Sequence, residues 1–461
     1  MNFRQFYLGC LSHASYYLGS NGEAAIIDPQ RDVQQYLDEA DANGQRIKYV
    51  IETHSHADFV SGHLELAART GAKIIYGEKA KTQFPTHKVA DGDELMVGSI
   101  NLHFLETPGH TPEGITIVAK DTDDHDAPVK MFTGDTLFIG DVGRPDLIGS
   151  VGFTSEQMGE MLYDSLHNSI LAYPDDTEVY PAHGAGSLCG KSLSKETWST
   201  LGNQRQFNYA LQPMSKEEFV KIVTADQNEV PMYFPKSAAK NLEGSASLAD
   251  LPKPGALGTD EVLGFDGVVI DVRLMSEYGA GHIPNAVNIG LGGQFASWAG
   301  ALIPIGTPLA IAADTSVQVD EAVMRLARIG HETVSGYILL KDYSGEKRGV
   351  EQVAVTAVDE LMKRNAPQFV DVRRMAEHAS GHAPGTINIP LDKLGDEVLK
   401  LNPAAPTYVI CQGGYRSSIG TSILENAGFE TVYNVTGGTA AWIKAGLETE
   451  ASETVCAATK T

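Results

Sequence analysis

The second half of the chain contains a repeat, which constrains the fold more than any other feature of the sequence. The sequence DVR at 271–273 recurs at 371–373, and GHxP at 281–284 recurs at 381–384. In each copy a short apolar strand precedes DVR, and a loop, further strands and a helix follow it. The repeat therefore predicts two small α/β domains, each with a mostly parallel sheet, that arose by duplication.

The length of the chain leaves room for another domain ahead of the repeat. At about 150 residues per domain, 461 residues predict about three domains. Ten of the 14 histidines lie between His13 and His183, so the first part differs in chemistry from the rest. We expect domains at 1–240, 259–345 and 350–461, with a linker at 241–258 that is rich in Ala, Ser, Gly and Pro.

Short apolar runs alternate with polar turns and helical stretches in the first domain, which is typical of an α/β fold. One helical stretch is stopped by Gly71. The predicted strands are 24–28, 47–53, 72–76, 100–107, 115–119, 130–135 and 178–183.

Charge and cysteine content exclude several classes of protein. The chain has 35 Lys and Arg against 59 Asp and Glu, and the formal net charge of −24 argues against binding to nucleic acid. The four cysteines, Cys10, Cys189, Cys411 and Cys456, form no CxxC pair, so we expect a reducing compartment. The N-terminus lacks a signal-peptide pattern, and no apolar run is long enough to span a membrane. We therefore expect a cytoplasmic protein.

The strongest chemical signal in the first domain is the segment THSHAD at 53–58, which follows a predicted apolar strand. Its two histidines are two residues apart, so in an extended segment both side chains face the same way. Loops after the carboxyl ends of strands are common ligand sites, and imidazoles with a carboxylate suit a first-row transition metal. Spacing alone places His56 among the ligands. The candidates are His54, His56, Asp58, His110, Asp135 and His183.

These motifs resemble the metallo-β-lactamase superfamily, whose pattern is HxHxDH followed by a downstream His, Asp and His. The resemblance covers about 1–240 and implies an αββα sandwich with the metal at one edge of the sheets. Position 59 departs from the pattern, because Phe59 stands where two-metal hydrolases of the superfamily have a histidine. A single-metal site follows, as in the persulfide dioxygenases of this superfamily, which hold one iron(II) with two histidines and one aspartate.

Carried over by motif, this resemblance implies that His54, His110 and Asp135 bind one Fe(II) per chain, with zinc as the alternative metal. The remaining candidates would orient ligands or waters, or serve as alternative ligands. These are His56, Asp58 and His183.

The segment GDVGRPDL at 140–147 resembles the family's GRxD segment near the substrate. Arg144 would then bind the anionic substrate or hold the pocket wall through Asp146, and a plain loop salt bridge is the alternative. Cys189 would border the same pocket, although a free cysteine is often simply buried.

The C-terminal copy of the repeat contains the second chemical signal. An apolar strand ends at Cys411, and a glycine-bearing loop leads to Arg416 and a predicted helix. Backbone N–H groups of such a loop converge on the cysteine, and the helix N-terminus adds positive potential, so both favour thiolate over thiol. The residues of this sulfur loop between Cys411 and Arg416 are Gln412, Gly413, Gly414 and Tyr415.

The sulfur loop and the flanking motifs resemble the rhodanese (sulfurtransferase) family over nearly all of 355–450. Four residues separate the cysteine from the arginine, whereas related phosphatases have five, and the shorter loop suits a cysteine persulfide. In the middle copy Ala313 and Gln318 occupy the positions of Cys411 and Arg416. That copy lacks both nucleophile and cation and resembles an inactive rhodanese.

The order of the domains resembles fused persulfide dioxygenase–sulfurtransferases. The resemblance implies that dioxygen oxidises a low-molecular-weight thiol persulfide to sulfite, and that the rhodanese domain forms or uses thiosulfate. The direction of sulfur flow and the identity of the thiol stay open. One alternative is a thioester hydrolase resembling hydroxyacylglutathione hydrolases, with zinc or a mixed metal pair, and another is a sulfur carrier or sensor. The spare middle domain favours a homo-oligomer.

Overall fold

The apolar runs of the N-terminal half pair into two six-stranded sheets, in each of which neighbouring strands follow their order along the chain. The first sheet contains β1 (Asn2–Leu8), β2 (His13–Ser20), β3 (Glu23–Ile27), β4 (Arg46–Ile51), β5 (Lys73–Gly77) and β6 (His87–Val89). The second contains β7 (Glu94–Val97), β8 (Ile100–Glu106), β9 (Ile115–Asp121), β10 (Lys130–Gly134), β11 (Glu178–Pro181) and β12 (Ser199–Thr200). All seven predicted strands are present.

Strand directions differ along each sheet. In the first sheet β1, β2 and β3 pair antiparallel, and β3 to β6 pair parallel. In the second sheet β7 to β10 pair antiparallel, and β10 and β11 pair parallel. Consequently β8, β10 and β11 run in the same direction and their carboxyl ends share one edge of that sheet.

Helices cover the outer faces of both sheets. They are α1 (Gln34–Ala42), α2 (His63–Thr70), α3 (Ser155–Asp164), α4 (Leu201–Phe207), α5 (Lys216–Thr224) and α6 (Phe234–Glu243). Capping boxes begin α3 at Thr154 and α5 at Ser215, and left-handed Gly71 ends α2 as predicted.

The apolar core has three layers. Alternate side chains of the two sheets, such as Ile51 and Phe104, fill the space between them. Tyr36 of α1 packs on the outer face of the first sheet, and Leu162 of α3 and Phe219 of α5 pack on the second. This arrangement is the αββα sandwich, and the predicted fold class is confirmed.

The segment predicted as a linker, 241–258, overlaps elements of the neighbouring domains at its two ends. Helix α6 extends to Glu243, and the side chain of Asn241 is buried against the loop that follows β4. Farther on, residues 255–256 form an edge strand of the next sheet.

The repeated half forms two five-stranded parallel sheets. The middle copy contains β13 (Gly255–Ala256), α7 (Thr259–Leu263), β14 (Val268–Asp271), α8 (Met275–Ala280), β15 (Val287–Asn288), α9 (Phe295–Leu302), β16 (Leu309–Ala313), α10 (Ser316–Ala327) and β17 (Val334–Leu339). Its strand order is β13-β17-β16-β14-β15.

The C-terminal copy has the same topology. It contains β18 (Glu351–Ala354), α11 (Val355–Asn365), β19 (Gln368–Asp371), α12 (Met375–Ala379), β20 (Ile387–Asn388), α13 (Leu394–Glu397), β21 (Thr407–Ile410), α14 (Tyr415–Asn426), β22 (Val432–Thr436) and α15 (Gly438–Lys444). The strand order, β18-β22-β21-β19-β20, repeats that of the middle copy position by position, as duplication predicts.

The computed structural model describes residues 1–147, 152–191, 193–225, 227, 229–365 and 367–451, so that Cys456 lies outside the described residues. The chain divides into two compact units. The first consists of Met1–Leu251 together with Met324–Glu332, and the second contains the rest of both repeat copies. Among the described helices, none has the length and apolar character needed to cross a membrane.

Candidate metal centre and sulfur loop

The loops that follow β4, β8, β10 and β11 bring the predicted site residues of the first domain together. The first of these loops contributes three residues and the others one each. In chain order they are His54, His56, Asp58, His110, Asp135 and His183, all of which are buried.

Three of these residues converge as the sequence predicts. The Nε2 atoms of His54 and His110 lie 3.8 and 3.3 Å from Oδ2 of Asp135. One ligand atom from each of the three residues lies within 4.8 Å of the other two. Oδ2 of Asp135 is buried and has no hydrogen-bond partner among the described residues. Two imidazole nitrogens and an unpaired carboxylate oxygen thus fit a transition metal.

Hydrogen bonds determine which nitrogen each imidazole presents. Thr53 donates its hydroxyl to Asp28 (2.8 Å), so Nδ1 of His54, 3.0 Å from that hydroxyl oxygen, acts as the donor. Nδ1 of His110 lies 3.0 Å from the carbonyl oxygen of Arg144, which can only accept. In both rings the lone pair is therefore on Nε2, the atom that faces Asp135.

His56 does not join this group. Its Nε2 lies 3.1 Å from Oδ1 of Asp28 and 3.4 Å from Oε2 of Glu52. Burial opposes protonation of His56, but Asp28 outweighs it and raises the pKa of His56 to about 9. The ring is therefore a buried cation paired with Asp28, and spacing alone was misleading about where this side chain lies.

The charges in the group of three match what a metal needs. Burial lowers the pKa of His54 and of His110 below the usual value, so both rings are neutral. Burial disfavours ionisation of Asp135, but the charged ring of His183 outweighs burial and holds the pKa of Asp135 well below the usual range. Metal ligands must be deprotonated, and these three are deprotonated at neutral pH.

Asp58 and His183 support Asp135 from behind. Nδ1 of His183 lies 2.7 Å from Asp135, and its Nε2 lies 2.7 Å from Asp58. Burial opposes protonation of His183, but both carboxylates raise its pKa well above the usual value, so its ring donates to each. Cys189 lies in the same group with its thiol buried, and burial raises the pKa of that thiol.

Arg144 holds the wall of the site. Its guanidinium donates to both oxygens of Asp146, each at 2.7 Å, while its backbone N–H donates to the carbonyl of Cys189 and its carbonyl accepts from His110. The pairing with Asp146 is common to two of the three predicted readings, a residue that holds the pocket wall and a plain loop salt bridge.

The sulfur loop begins where β21 ends. Sγ of Cys411 is buried and accepts hydrogen bonds from the N–H of Gly414 (3.1 Å) and the hydroxyl of Ser417 (3.5 Å). Gly414 has φ of +102°, a conformation that favours glycine, and this conformation directs its N–H at the sulfur. Helix α14 begins at Tyr415, so its N-terminus lies at the same point.

Arg416 is paired with a carboxylate. Its guanidinium donates to both oxygens of Glu377, each at 2.7 Å. Gln412 and Gly413 are exposed, and Gln412 accepts a long hydrogen bond from Arg373 (3.5 Å). The donors nearest to the sulfur are therefore Gly414 and Ser417.

The equivalent loop of the middle copy has a different hydrogen-bond pattern. Ala313 ends β16 where the C-terminal copy has its cysteine. Oε1 of Gln318 accepts from the N–H groups of Asp314 (2.9 Å) and Thr315 (3.1 Å). The side chain of Gln318 thus binds two amide N–H groups that could otherwise bind an anion.

Two family models match the chain. The metallo-beta-lactamase superfamily model matches residues 8–183, and the rhodanese-like domain model matches 257–339 and 354–445. The mitochondrial persulfide dioxygenase ETHE1 of Bos taurus is 33% identical over 217 residues, which are 45% of this chain and 75% of the relative. The chain belongs to the metallo-β-lactamase superfamily. Its ETHE1-like metallo-β-lactamase domain is followed by two rhodanese-like domains.

Further similarities concern different parts of the chain. A hydroxyacylglutathione hydrolase of Methylococcus capsulatus is 34% identical over 165 residues, which are 35% of this chain and 58% of that relative. The crystal structure of a metallo-beta-lactamase from Staphylococcus aureus is 34% identical and covers 74% of this chain and 99% of its own, with a TM-score of 0.67. Because 74% exceeds the share of the metallo-β-lactamase domain, that similarity extends into the rhodanese-like part.

Phe59 fills the position where two-metal members of the superfamily have a histidine. Its ring packs between the rings of His13 and His56, with centroids 4.1 and 4.5 Å away. An aromatic side chain cannot bind a metal, and here it stacks with the histidine that pairs with Asp28.

Sequence reasoning missed two residues that support the metal centre. Asp28 anchors Thr53 and His56, and Asn241 donates to the carbonyls of His56 (2.8 Å) and Phe59 (2.7 Å). The one available signal for Asp28 was its place at the end of a predicted strand. No signal pointed to Asn241, which is far away along the chain.

We expect the metallo-β-lactamase domain to lose its metal at a lower pH than a site built of ordinary imidazoles would. A free imidazole is half protonated near about pH 6.5, whereas burial lowers the pKa of His54 and of His110, so both rings stay neutral to a lower pH. Elemental analysis after equilibration measures occupancy, and circular dichroism verifies that the fold persists. Loss of half the metal near pH 6.5 would contradict the assignment.

Proposed function

We propose that this chain is an iron-dependent persulfide dioxygenase fused to a rhodanese sulfurtransferase, and that it acts in sulfide and sulfane-sulfur metabolism. The metallo-β-lactamase domain oxidises a low-molecular-weight thiol persulfide with dioxygen to sulfite. The C-terminal rhodanese domain transfers sulfur through Cys411. Similarity to the persulfide dioxygenase ETHE1 supports an enzyme with a metal cofactor and this choice of substrates.

The arrangement of His54, His110 and Asp135 carries the proposal. Their inward atoms form a set of two imidazoles and one carboxylate, and His56 pairs with Asp28 instead of adding a fourth ligand. Two histidines and one carboxylate with open positions are typical of iron(II) centres that activate oxygen. A closed structural zinc site would use four protein ligands.

The proposed oxidation is RSSH + O2 + H2O → RSH + SO3²⁻ + 2 H⁺. The outer sulfur loses four electrons and dioxygen accepts them, so no other oxidant or reductant is needed. Bound iron(II) would supply the redox chemistry that brings dioxygen to the persulfide sulfur. His183 and Asp58 keep Asp135 ionised and oriented, and the pairing of Arg144 with Asp146 keeps the wall beside His110 in place.

The proposed transfer at the second site is Cys411–S–SH + SO3²⁻ → Cys411–SH + S2O3²⁻. Sulfite forms a bond to the outer sulfur, the sulfur–sulfur bond breaks, and the cysteine sulfur leaves with the electron pair. The N–H of Gly414 and the hydroxyl of Ser417 both reach that sulfur and stabilise the charge that develops on it. Run in reverse, the same loop makes a persulfide from thiosulfate.

Thioester hydrolysis is the second candidate. The similarity to a hydroxyacylglutathione hydrolase favours it, as does the buried group formed by Asp58, His183 and Cys189. Phe59 and the pairing of His56 with Asp28 weigh against it, because they remove two imidazoles from a two-metal arrangement. One iron per chain supports dioxygenation, and two tightly bound zinc ions per chain support hydrolysis.

His54→Ala is expected to remove bound metal and persulfide-dependent oxygen uptake together, because one of three proposed ligands is lost. Elemental analysis and an oxygen electrode with a low-molecular-weight persulfide measure the two effects. His125→Ala, which changes an exposed histidine, is the matched control and should retain both. A His54→Ala protein that keeps its metal and its oxygen uptake would refute the ligand assignment.

Cys411→Ser is expected to abolish thiosulfate:cyanide sulfurtransferase activity and leave persulfide-dependent oxygen uptake largely intact. The reason is that Cys411 belongs to a separate domain from the proposed metal ligands. Cys10→Ser is the control, since it also replaces a cysteine. Mass spectrometry that finds transferable sulfur on another cysteine, with Cys411 unmodified, would show that the nucleophile is misassigned.

The ratio of products tests whether the two sites work in sequence. With persulfide and oxygen supplied, the wild-type protein should release mainly thiosulfate, and Cys411→Ser mainly sulfite. Covalent fusion can raise the effective concentration of one site's product at the other to ~mM when the tether allows approach. Ion chromatography measures both anions. Equal ratios in the two proteins would favour the reverse flow from thiosulfate.

A further inference from the structure

One face of helix α14, which begins at the sulfur loop, lies against the middle rhodanese-like domain. Its members are three or four residues apart, as one side of a helix requires. They are Tyr415, Ser418, Ser422 and Glu425. Tyr415 donates its hydroxyl to the carbonyl of Gly290 (2.8 Å). Ser418 donates to the side-chain oxygen of Asn288 (2.6 Å), and Ser422 accepts from the N–H of Asn288 (3.2 Å). Glu425 lies 3.3 Å from the ring of His282.

This interface is polar and specific. Ser418 and Ser422 are fully buried, and Asn288 is buried as well, so each hydrogen bond is shielded from water. A buried polar group that loses its partner costs about 1–3 kcal/mol. Ser418 and Ser422 both form hydrogen bonds with Asn288. Because hydrogen bonds are directional, they define the position of α14 on the middle domain more closely than an apolar contact would.

The sulfur loop is held from two sides. On the side of its own domain, the N–H of Thr439 donates to the carbonyl of Cys411 (2.8 Å). On the other side, the thioether of Met275 lies 3.1 Å from the point where a Cβ of Gly414 would stand. The ring of Tyr415 lies on the same side, with its hydroxyl bonded to the middle domain. Both Met275 and the acceptor of that hydroxyl belong to the copy that has no cysteine.

We infer that the middle rhodanese-like domain is a positioning element of the sulfur site, and that its Gly290 and Gly293 hold Tyr415 so that the N–H of Gly414 stays directed at Cys411. The inference rests on the proposed sulfur transfer at Cys411. Tyr415 follows Gly414 directly, so a shift of its ring moves the amide that donates to the sulfur. The middle domain therefore acts on transfer without touching the sulfur itself.

Two neighbouring glycines offer a matched pair of substitutions. A Cβ on Gly293 would lie 2.5–2.8 Å from three ring atoms of Tyr415, so the ring would have to move and its bond to Gly290 would break. A Cβ on Gly292 would meet only a leucine methyl, at an ordinary 3.5 Å. Neither glycine has a left-handed backbone conformation, so both accept alanine without backbone strain.

The test compares Gly293→Ala with Gly292→Ala in the full chain. We expect Gly293→Ala to lower kcat for thiosulfate:cyanide sulfur transfer roughly 10- to 100-fold with little change in KM, because misplacement by about 1 Å costs on the order of 100-fold. Gly292→Ala should stay within about twofold of the wild-type protein. Persulfide-dependent oxygen uptake should be the same in both.

A double-mutant cycle separates positioning from general destabilisation. In a Tyr415→Ala background the ring is absent, so Gly293→Ala should cause no further loss of sulfur transfer. Tyr415→Phe, which removes only the hydroxyl, should lower kcat in the same direction and provides the test if Gly293→Ala fails to fold. Thermal unfolding of each variant is followed in parallel.

Several outcomes overturn the inference. One is an equal kcat for Gly293→Ala and Gly292→Ala. Another is a full additive loss of kcat when Gly293→Ala is introduced into the Tyr415→Ala background. If Gly293→Ala does not fold, a Tyr415→Phe protein with wild-type kcat overturns the inference. Failure of the proposed function has a different signature, namely sulfur transfer that survives Cys411→Ser.

Discussion

The buried charge of Asp135 is the constraint on which the first site depends. A carboxylate without solvent is costly unless it is paired, and here a protonated His183 binds one oxygen while the other oxygen faces two neutral imidazoles. His183 is in turn charged because Asp58 lies on its other side. The order of charges, from Asp58 through His183 to Asp135, leaves one unpaired anionic oxygen at the point where a metal cation fits.

The same principle of alternating charge explains the place of His56. Asp28 is buried and accepts from both the N–H and the hydroxyl of Thr53, and it still attracts a protonated imidazole. Motif spacing predicted that His54 and His56 would face one way, and both do lie on one loop. It could not predict that a carboxylate from the preceding strand end would compete for one of them. Whether His56 joins the proposed metal ligands thus depends on Asp28, a residue that is distant from it along the chain.

The fold was largely predictable because periodicity and duplication are local signals. Seven strands of the first domain follow from apolar runs, and two α/β domains with mostly parallel sheets follow from the repeated motifs. The αββα sandwich followed from the resemblance to the metallo-β-lactamase superfamily. The sulfur loop was predictable as well, since the donor Gly414 is only three residues from Cys411 along the chain. What the sequence did not reveal is the partner of Arg416, because Glu377 belongs to helix α12 and is far from Arg416 along the chain.

The loops at equivalent positions of the two rhodanese-like copies have different hydrogen-bond patterns. In the C-terminal copy an amide is directed at a sulfur, and in the middle copy Gln318 satisfies two amides from within. The amides of the middle loop are therefore bonded to a side chain of their own copy, whereas the amide of the C-terminal loop is available to a sulfur atom.

Helix α6 adds a thermodynamic consequence to the first site. The family match ends at residue 183, but Asn241 of α6 accepts from Ser61 and donates to two carbonyls of the loop that carries His54. Local opening of this helix would leave three buried backbone groups unpaired and would free the loop. By linkage, a ligand that binds only when the loop is ordered raises the free energy of that opening by an amount that follows from its binding free energy. Hydrogen exchange along α6 is thus a reporter of cofactor loading, at a segment that touches no proposed ligand side chain.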